Sequence, residues 1–253
     1  MRVFLTGASS GIGEALARRY AGMGATLGLV ARRAPELQRV AAALHPATVL
    51  TYALDVRDAD ALAAAGADFC TRCGTPDIVI ANAGVSRGTL TDEPADLAAF
   101  RTVFDINVMG VINTFSPFAA AMRREGGGTL AGIASIAGFR GLPGAGAYSA
   151  SKAAVITYLE ALRIEMHGSG VAVVTICPGF IATPMTAHNP YRMPFILTPE
   201  RAAQLMVRAI ARRQRFYVMP WQVAWLGALL RVTPRPLLDR VLASRKRKPR
   251  HFD

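Results

Sequence analysis

The most constraining feature of this chain lies at its N-terminus. A short apolar run at residues 2–6 ends in Thr6-Gly7-Ala8-Ser9-Ser10-Gly11-Ile12-Gly13, and a helical pattern opens at once with Glu14, Ala15 and Leu16. A strand that turns through glycines into a helix aims free N–H groups and the positive end of a helix dipole at the turn, where an anion is stabilised. The glycine spacing is G-x-x-x-G-x-G and not G-x-G-x-x-G, so the position of the loop directly after the first strand carries the reading. Gly7, Ser9, Ser10, Gly11, Ile12 and Gly13 are therefore the candidate pyrophosphate loop.

Strand and helix patterns go on alternating. Apolar, β-branched runs fall at 26–31, 48–53, 78–81, 129–134, 171–177 and 215–219. Helical-period stretches occupy 11–23, 35–44, 59–69, 96–124, 148–167 and 199–212. Such alternation winds a parallel sheet with helices on both faces. The predicted fold is α/β, a Rossmann-type doubly wound seven-stranded parallel sheet, with one dinucleotide-binding domain over 1–219 and a C-terminal extension over 220–253. At 253 residues and 52% hydrophobic, the chain can bury a core without disulfides or metal. Gly126-Gly127-Gly128 reads as a turn before the fifth strand.

Charge and cysteine usage exclude several function classes. Net charge is +12, yet residues 1–191 carry 15 basic and 14 acidic side chains, while residues 231–253 carry 8 and 2. A body close to neutrality argues against a surface built to grip nucleic acid. Three cysteines make no complete disulfide framework, and the N-terminus has no secretory pattern, which points to the cytoplasm. Cys70 and Cys73 form a single C-x-x-C without the second ligand pair of a structural zinc site, and the four histidines are scattered, so no metal is expected.

Tyr148 and Lys152 stand four apart at a helix start, on one face. A ketone that accepts hydride needs a proton donor at oxygen, and a phenol serves if an ammonium brings its pKa down from about 10. At about 5 Å and an effective dielectric of about 20 the attraction is roughly 3 kcal/mol, or about 2 pKa units. With six tyrosines and three lysines in the chain, about 0.07 such pairs arise by chance. Arginines outnumber lysines 26 to 3, and the other two lysines lie in the tail, so lysine at 152 is a specific choice of a compact ammonium.

The loop Thr6–Gly13, Asn82-Ala83-Gly84, Asn107, Ser135, Tyr148-x-x-x-Lys152 and Pro178-Gly179 together resemble the short-chain dehydrogenase/reductase family over residues 1 to about 219. Ala81 is a departure, since the family usually has a second asparagine there. The resemblance implies a tetrad of Asn107, Ser135, Tyr148 and Lys152. Ser135, after the fifth strand, would bond the substrate oxygen, and Asn107 would anchor a water that relays protons from Lys152. It also implies Asp55 and Val56 at the adenine, Asn82, Ala83 and Gly84 along the ribose, and Pro178, Gly179, Ile181 and Thr183 around the nicotinamide, beside Tyr148 and Lys152. A homodimer or homotetramer through the long helices is the implied assembly.

The second strand ends in Ala31 followed by Arg32 and Arg33, with no carboxylate for a ribose 2′-hydroxyl. Paired guanidiniums suit a 2′-phosphate, so NADP(H) is the expected cofactor; otherwise they are solvated charges at a helix start. The stretch 184–197, with three prolines and large apolar side chains, corresponds to the family's substrate cover and favours a small apolar ketone or alcohol. Phe139, Arg140 and Leu142 are expected to line the same pocket. The leading expectation is an oxidoreductase; the other class is a dinucleotide-binding sensor or scaffold without turnover.

The extension remains open among membrane contact, packing with an idle tail, and a basic arm for nucleic acid, the last disfavoured by the near-neutral body. Residues 218–230, with Trp221 and Trp225, are too few to cross a bilayer, at about 20 Å of helix against roughly 30 Å of hydrocarbon. Leu237, Leu238, Val241 and Leu242 then precede the run Ser244-Arg-Lys-Arg-Lys-Pro-Arg250. Apolar anchors before a polybasic run suit an anionic membrane at the inner face; the alternative is packing on a partner subunit with a solvated tail.

Overall fold

The structure is a computed structural model that describes residues 1–187 and 189–243. Seven strands, β1 (Arg2–Thr6), β2 (Thr26–Ala31), β3 (Val49–Ala53), β4 (Ile78–Ala81), β5 (Thr129–Ile133), β6 (Ala172–Pro178) and β7 (Phe216–Met219), pair in parallel in the order β3-β2-β1-β4-β5-β6-β7. The chain winds outward from β1 in one direction and from β4 in the other. The strand order thus reverses between them, where open α/β sheets bind ligands.

Helices α1 (Gly11–Ala21), α2 (Ala34–Ala42) and α7 (Pro199–Ala211) cover one face; α3 (Ala59–Cys73), α5 (Gly110–Glu125) and α6 (Gly146–Glu165) cover the other, with α4 (Leu97–Phe104) packed against α6. The central strands are buried on both sides, so they read as continuous apolar runs and not as alternating ones. Leu5 and Leu29 pack with Leu16 and Met206 on the first face. On the second, Phe4 meets Phe69 edge-on at 5.5 Å and Phe118 at 4.7 Å. Gly28 makes room for these rings, because a Cβ there would stand 2.7 Å from both Phe4 and Phe69. Gly126, left-handed at φ 70°, ends α5 and begins the expected turn.

Two segments depart from the sequence expectation. The helix expected over 96–124 is broken by a single π-helical turn, Asp105–Met109, whose wider ring lets Asn107 face inward. The extension is helical, α8 (Trp221–Val232) and α9 (Arg235–Ala243), and α8 packs beside β7. The basic run 244–250 and His251 lie outside the described residues, as does His188. No helix among the described residues is long and apolar enough to cross a membrane.

Candidate active site

The site grows from the C-terminal edge of β1. The buried Thr6 hydroxyl donates to the Ile80 carbonyl at 3.4 Å and accepts the Asn82 N–H at 3.2 Å. The Asn82 amide donates to the carbonyls of Thr6 (3.1 Å) and Gly7 (3.2 Å). These bonds clamp the loop after β4 against the glycine loop. Gly7 and Gly11 sit at φ 71° and 55°, which other residues rarely adopt. At Gly13 a Cβ would fall 2.0 Å from the Gly7 carbonyl oxygen, so the turn closes only without side chains. Ser10 precedes α1 without capping it, and the first helical N–H groups are not taken up by its side chain.

A cleft of about 310 Å³ opens above this edge. It is lined by Gly7, Ser9, Ser10, Gly11, Ile12 and Gly13; by Arg32, Arg33, Asp55 and Val56; by Asn82, Ala83 and Gly84; by Ser135, Tyr148 and Lys152; and by Pro178, Gly179, Ile181 and Thr183. Ala31, Leu54, Val85, Ile106, Ile133, Ala134, Pro184, Met185 and Thr186 also line it. Apart from the start of the apolar cover, these additional residues sit at strand ends beside the motifs or, for Ile106, next to Asn107. Adjacency was the only signal that could have found them.

One end of the cleft is cationic. Arg33 donates to the hydroxyls of Ser9 (3.2 Å) and Ser10 (3.1 Å), which bridges β2 to the glycine loop. Arg32 lies 3.7 Å from the Asp55 carboxylate. Burial pushes Asp55 upward, but side-chain and backbone hydrogen bonds from Arg57 outweigh it and hold the carboxyl below its usual range. Arg57, not singled out from the sequence, is thus the partner that keeps Asp55 ionised.

At the other end, Ser135 follows β5, Tyr148 and Lys152 stand on the first turns of α6, and all three face one cleft. The Ser135 hydroxyl accepts the Ala137 N–H at 3.1 Å and is hydrogen-bonded to Tyr148. The Lys152 ammonium donates to the Ile133 carbonyl at 2.8 Å and lies 5.9 Å from the centre of the Tyr148 ring. The expected acidification of Tyr148 by Lys152 is not what the chain's own groups produce. Burial raises the phenol first, with only the Ser135 bond pulling it down, and burial lowers Lys152 to about 8. Desolvation opposes charge on both groups and is the largest cause of both shifts.

Asn107 does not line the cleft; it holds the elements that do. Its Oδ1 accepts the Val85 N–H at 2.8 Å, and its amide donates to the Val85 carbonyl (2.9 Å) and the Ser151 hydroxyl (3.0 Å). Ser151 in turn donates to the Tyr148 carbonyl at 2.8 Å. Both amide hydrogens are therefore used within the chain.

A model of the short chain dehydrogenase family matches residues 1–192. The chain belongs to the short-chain dehydrogenase/reductase family. An uncharacterized oxidoreductase of Myxococcus xanthus (strain DK1622) is 40% identical over 237 residues, 93% of each chain. Two solved structures, a short chain dehydrogenase from Mycobacterium paratuberculosis bound to NAD and the L-sorbose reductase from Gluconobacter frateurii complexed with NADPH and L-sorbose, are similar. Each is 27% identical with a TM-score of 0.77, and covers 86% of this chain and 94% of its own. This short-chain dehydrogenase/reductase is thus an oxidoreductase on a Rossmann-type NAD(P)-binding fold.

The loop after Ser135 differs from expectation. Phe139, Arg140 and Leu142 are not among the residues lining the cleft. Phe139 packs over Gly227, where a Cβ would stand 2.7 Å from the ring. The Arg140 guanidinium donates to the carbonyls of Leu230 (2.7 Å) and Thr233 (3.3 Å). The last carbonyls of a helix lack partners within it, and α8 draws the arginine to them. The cover over the substrate end is tied at its base by a short parallel bridge between Ile181 and Leu197 and by the Thr186 hydroxyl donating to the Ile181 carbonyl at 2.6 Å. Within it Tyr191 packs 6.2 Å from the Phe180 ring.

Proposed function

We propose that this short-chain dehydrogenase/reductase transfers hydride between NADP(H) and a small apolar ketone or secondary alcohol, with Tyr148 as general acid in reduction and general base in oxidation. The observation that carries the reading is the convergence of Ser135, Tyr148 and Lys152 on the cleft that the glycine loop enters. The loop suits a pyrophosphate, because Gly7 and Gly13 let it close tightly against Ala83 and Asn82 and lead into the start of α1, whose first N–H groups the Ser10 side chain leaves untaken. Asp55 and Val56 would flank the adenine, Asn82 to Gly84 the ribose, and Pro178, Gly179, Ile181 and Thr183 the nicotinamide. When bound, the nicotinamide supplies or accepts the hydride.

In reduction the Tyr148 phenol passes its proton to the carbonyl oxygen, which becomes the alcohol hydroxyl. Burial keeps the phenol protonated at neutral pH, so the proton to be passed is in place. Ser135 donates to the same oxygen and opposes the build-up of charge there. Lys152, with a pKa near 8, can return a proton toward Tyr148 close to neutrality. Asn107 acts as a positioning residue that fixes the Val85 backbone against α6. Arg32 and Arg33 supply the charge that favours a 2′-phosphate over a hydroxyl. Pro184 and Met185 at the cleft wall, with Phe180 and Tyr191 beyond, support an apolar substrate. Exposed Leu97, Phe104, Met109 and Ile164 on the α4–α6 side support a homodimer or homotetramer through that face.

Reduced-nicotinamide absorbance against a panel of apolar ketones tests the reading. Tyr148→Phe is expected to abolish turnover and to leave NADPH binding, followed by cofactor fluorescence, within about threefold. Retained turnover in that variant refutes the role of Tyr148. NADPH binding with no turnover of any ketone or alcohol by the parent chain favours the sensor reading instead.

A further inference from the structure

The two helices of the extension leave most of their large apolar side chains outside. On α8 the side toward the body carries Val223, whose methyls stand 3.0 Å from where a Cβ on Gly179 would sit, and Gly227, beneath Phe139. The opposite side carries Trp221, Trp225, Leu229 and Val232, whose spacing of 4, 4 and 3 residues makes one stripe along the helix. These are 69%, 74%, 60% and 77% exposed. On α9, Leu237 and Val241, again four apart, are exposed as well. A soluble helix normally turns its large apolar side chains inward; α8 buries Val223 but leaves both tryptophans, Leu229 and Val232 to water.

The charge around this surface says what covers it. Among residues 221–253 there are eight basic side chains and only Asp239 and Asp253 as acids, and the run Arg245-Lys246-Arg247-Lys248 follows α9 directly in sequence. A second copy docked on the same face would bring a further eight basic and two acidic side chains to an extension that already carries that excess, so like charge meets like. A bilayer with anionic headgroups attracts the charge, accepts the leucine and valine side chains at the acyl boundary, and suits tryptophan at the interface.

We propose that the outer stripe of α8 with α9 is a docking face for an anionic lipid bilayer. Because the inner side of α8 backs Gly179 and, through Arg140 and Phe139, holds the loop that follows Ser135, docking sets the substrate end of the cleft beside the membrane. That consequence rests on the substrate reading above; the docking itself does not.

The two tryptophans of the chain are both on this stripe, so intrinsic tryptophan fluorescence reports it without labels. The full-length chain is titrated with vesicles of phosphatidylcholine alone and of phosphatidylcholine with phosphatidylglycerol. A blue shift with the anionic vesicles, quenched by brominated acyl chains and weakened by salt, is expected. In Arg245→Gln and Lys246→Gln variants the partition coefficient should fall roughly fivefold for each charge removed. Trp221→Gln plus Trp225→Gln should abolish vesicle pelleting while the reductase rate in vesicle-free buffer stays within twofold. Emission that ignores anionic vesicles overturns the proposal. So does emission that shifts with protein concentration alone, together with a doubling of mass by light scattering, since a second copy then covers the stripe. Both readouts are independent of turnover, so failure of the enzymatic reading would be seen separately.

Discussion

Gly138 is the point where the Ser135 loop touches the helix that carries Tyr148 and Lys152, and replacing it with alanine tests how closely the three groups must be held. A Cβ there would stand 2.7 Å from the Lys152 carbonyl carbon, 2.8 Å from the Ala153 nitrogen and 2.9 Å from the Lys152 oxygen. All three are helix backbone and cannot swing aside. Since ordinary contact begins at 3.4 Å, the loop must move by roughly 0.5–0.7 Å, an overpacking that costs about 1–3 kcal/mol. For a domain of this size, that lowers Tm by about 2–12 °C. The same displacement moves the Ser135 hydroxyl away from Tyr148, and misplacement on this scale lowers kcat/KM by about 10- to 100-fold. Gly141→Ala is the matched control in the same loop, because nothing lies within 4 Å of its added Cβ. The assay pairs a thermal melt with kcat/KM for an apolar ketone. A Gly138→Ala variant with parental Tm and kcat/KM within about threefold would refute the claim that this contact sets the spacing.

Three further outcomes are expected. Lys152 is near 8 in the folded chain against 10.5 for the ordinary group, so the unfolded chain holds its proton through a window where the folded one does not. Stability should then rise with pH between about 8 and 10.5, by about 3 kcal/mol relative to Lys152→Met; parallel pH profiles of parent and variant from urea melts would overturn this. Asn107→Ala strips partners from both polar backbone groups of Val85 and from Ser151, and should cost about 1–3 kcal/mol for each group left buried and unpaired. Its loss of activity should appear in kcat more than in KM, and an unchanged melt would remove the positioning role. Arg32→Ala plus Arg33→Ala should lower kcat/KM with NADPH by about 10²- to 10⁴-fold, at about 1.5–3 kcal/mol for each of two charge-assisted contacts. NADH should change less than about threefold, and a constant NADPH-to-NADH ratio would end the 2′-phosphate argument.

Local periodicity in the sequence determined the strands, most of the helices and the sheet class, because the side-chain repeat of a strand or helix is set by the backbone over a few residues. It also determined the glycine loop and the Tyr148–Lys152 pair, whose four-residue spacing fixes a shared face wherever the helix lies. The tertiary structure alone decided what depends on distant partners. The π turn at Asn107 serves contacts 22 and 44 residues away. Arg140 is drawn from the cleft to carbonyls 90 and 93 residues on. The sign of the Tyr148 and Lys152 shifts follows from how much low-dielectric matter surrounds them, which no spacing encodes. The apolar content of α8 was plain from its composition, but which side faces water was decided by Phe139 and Gly179, segments remote in sequence that pack against Gly227 and Val223 and leave the tryptophans outside.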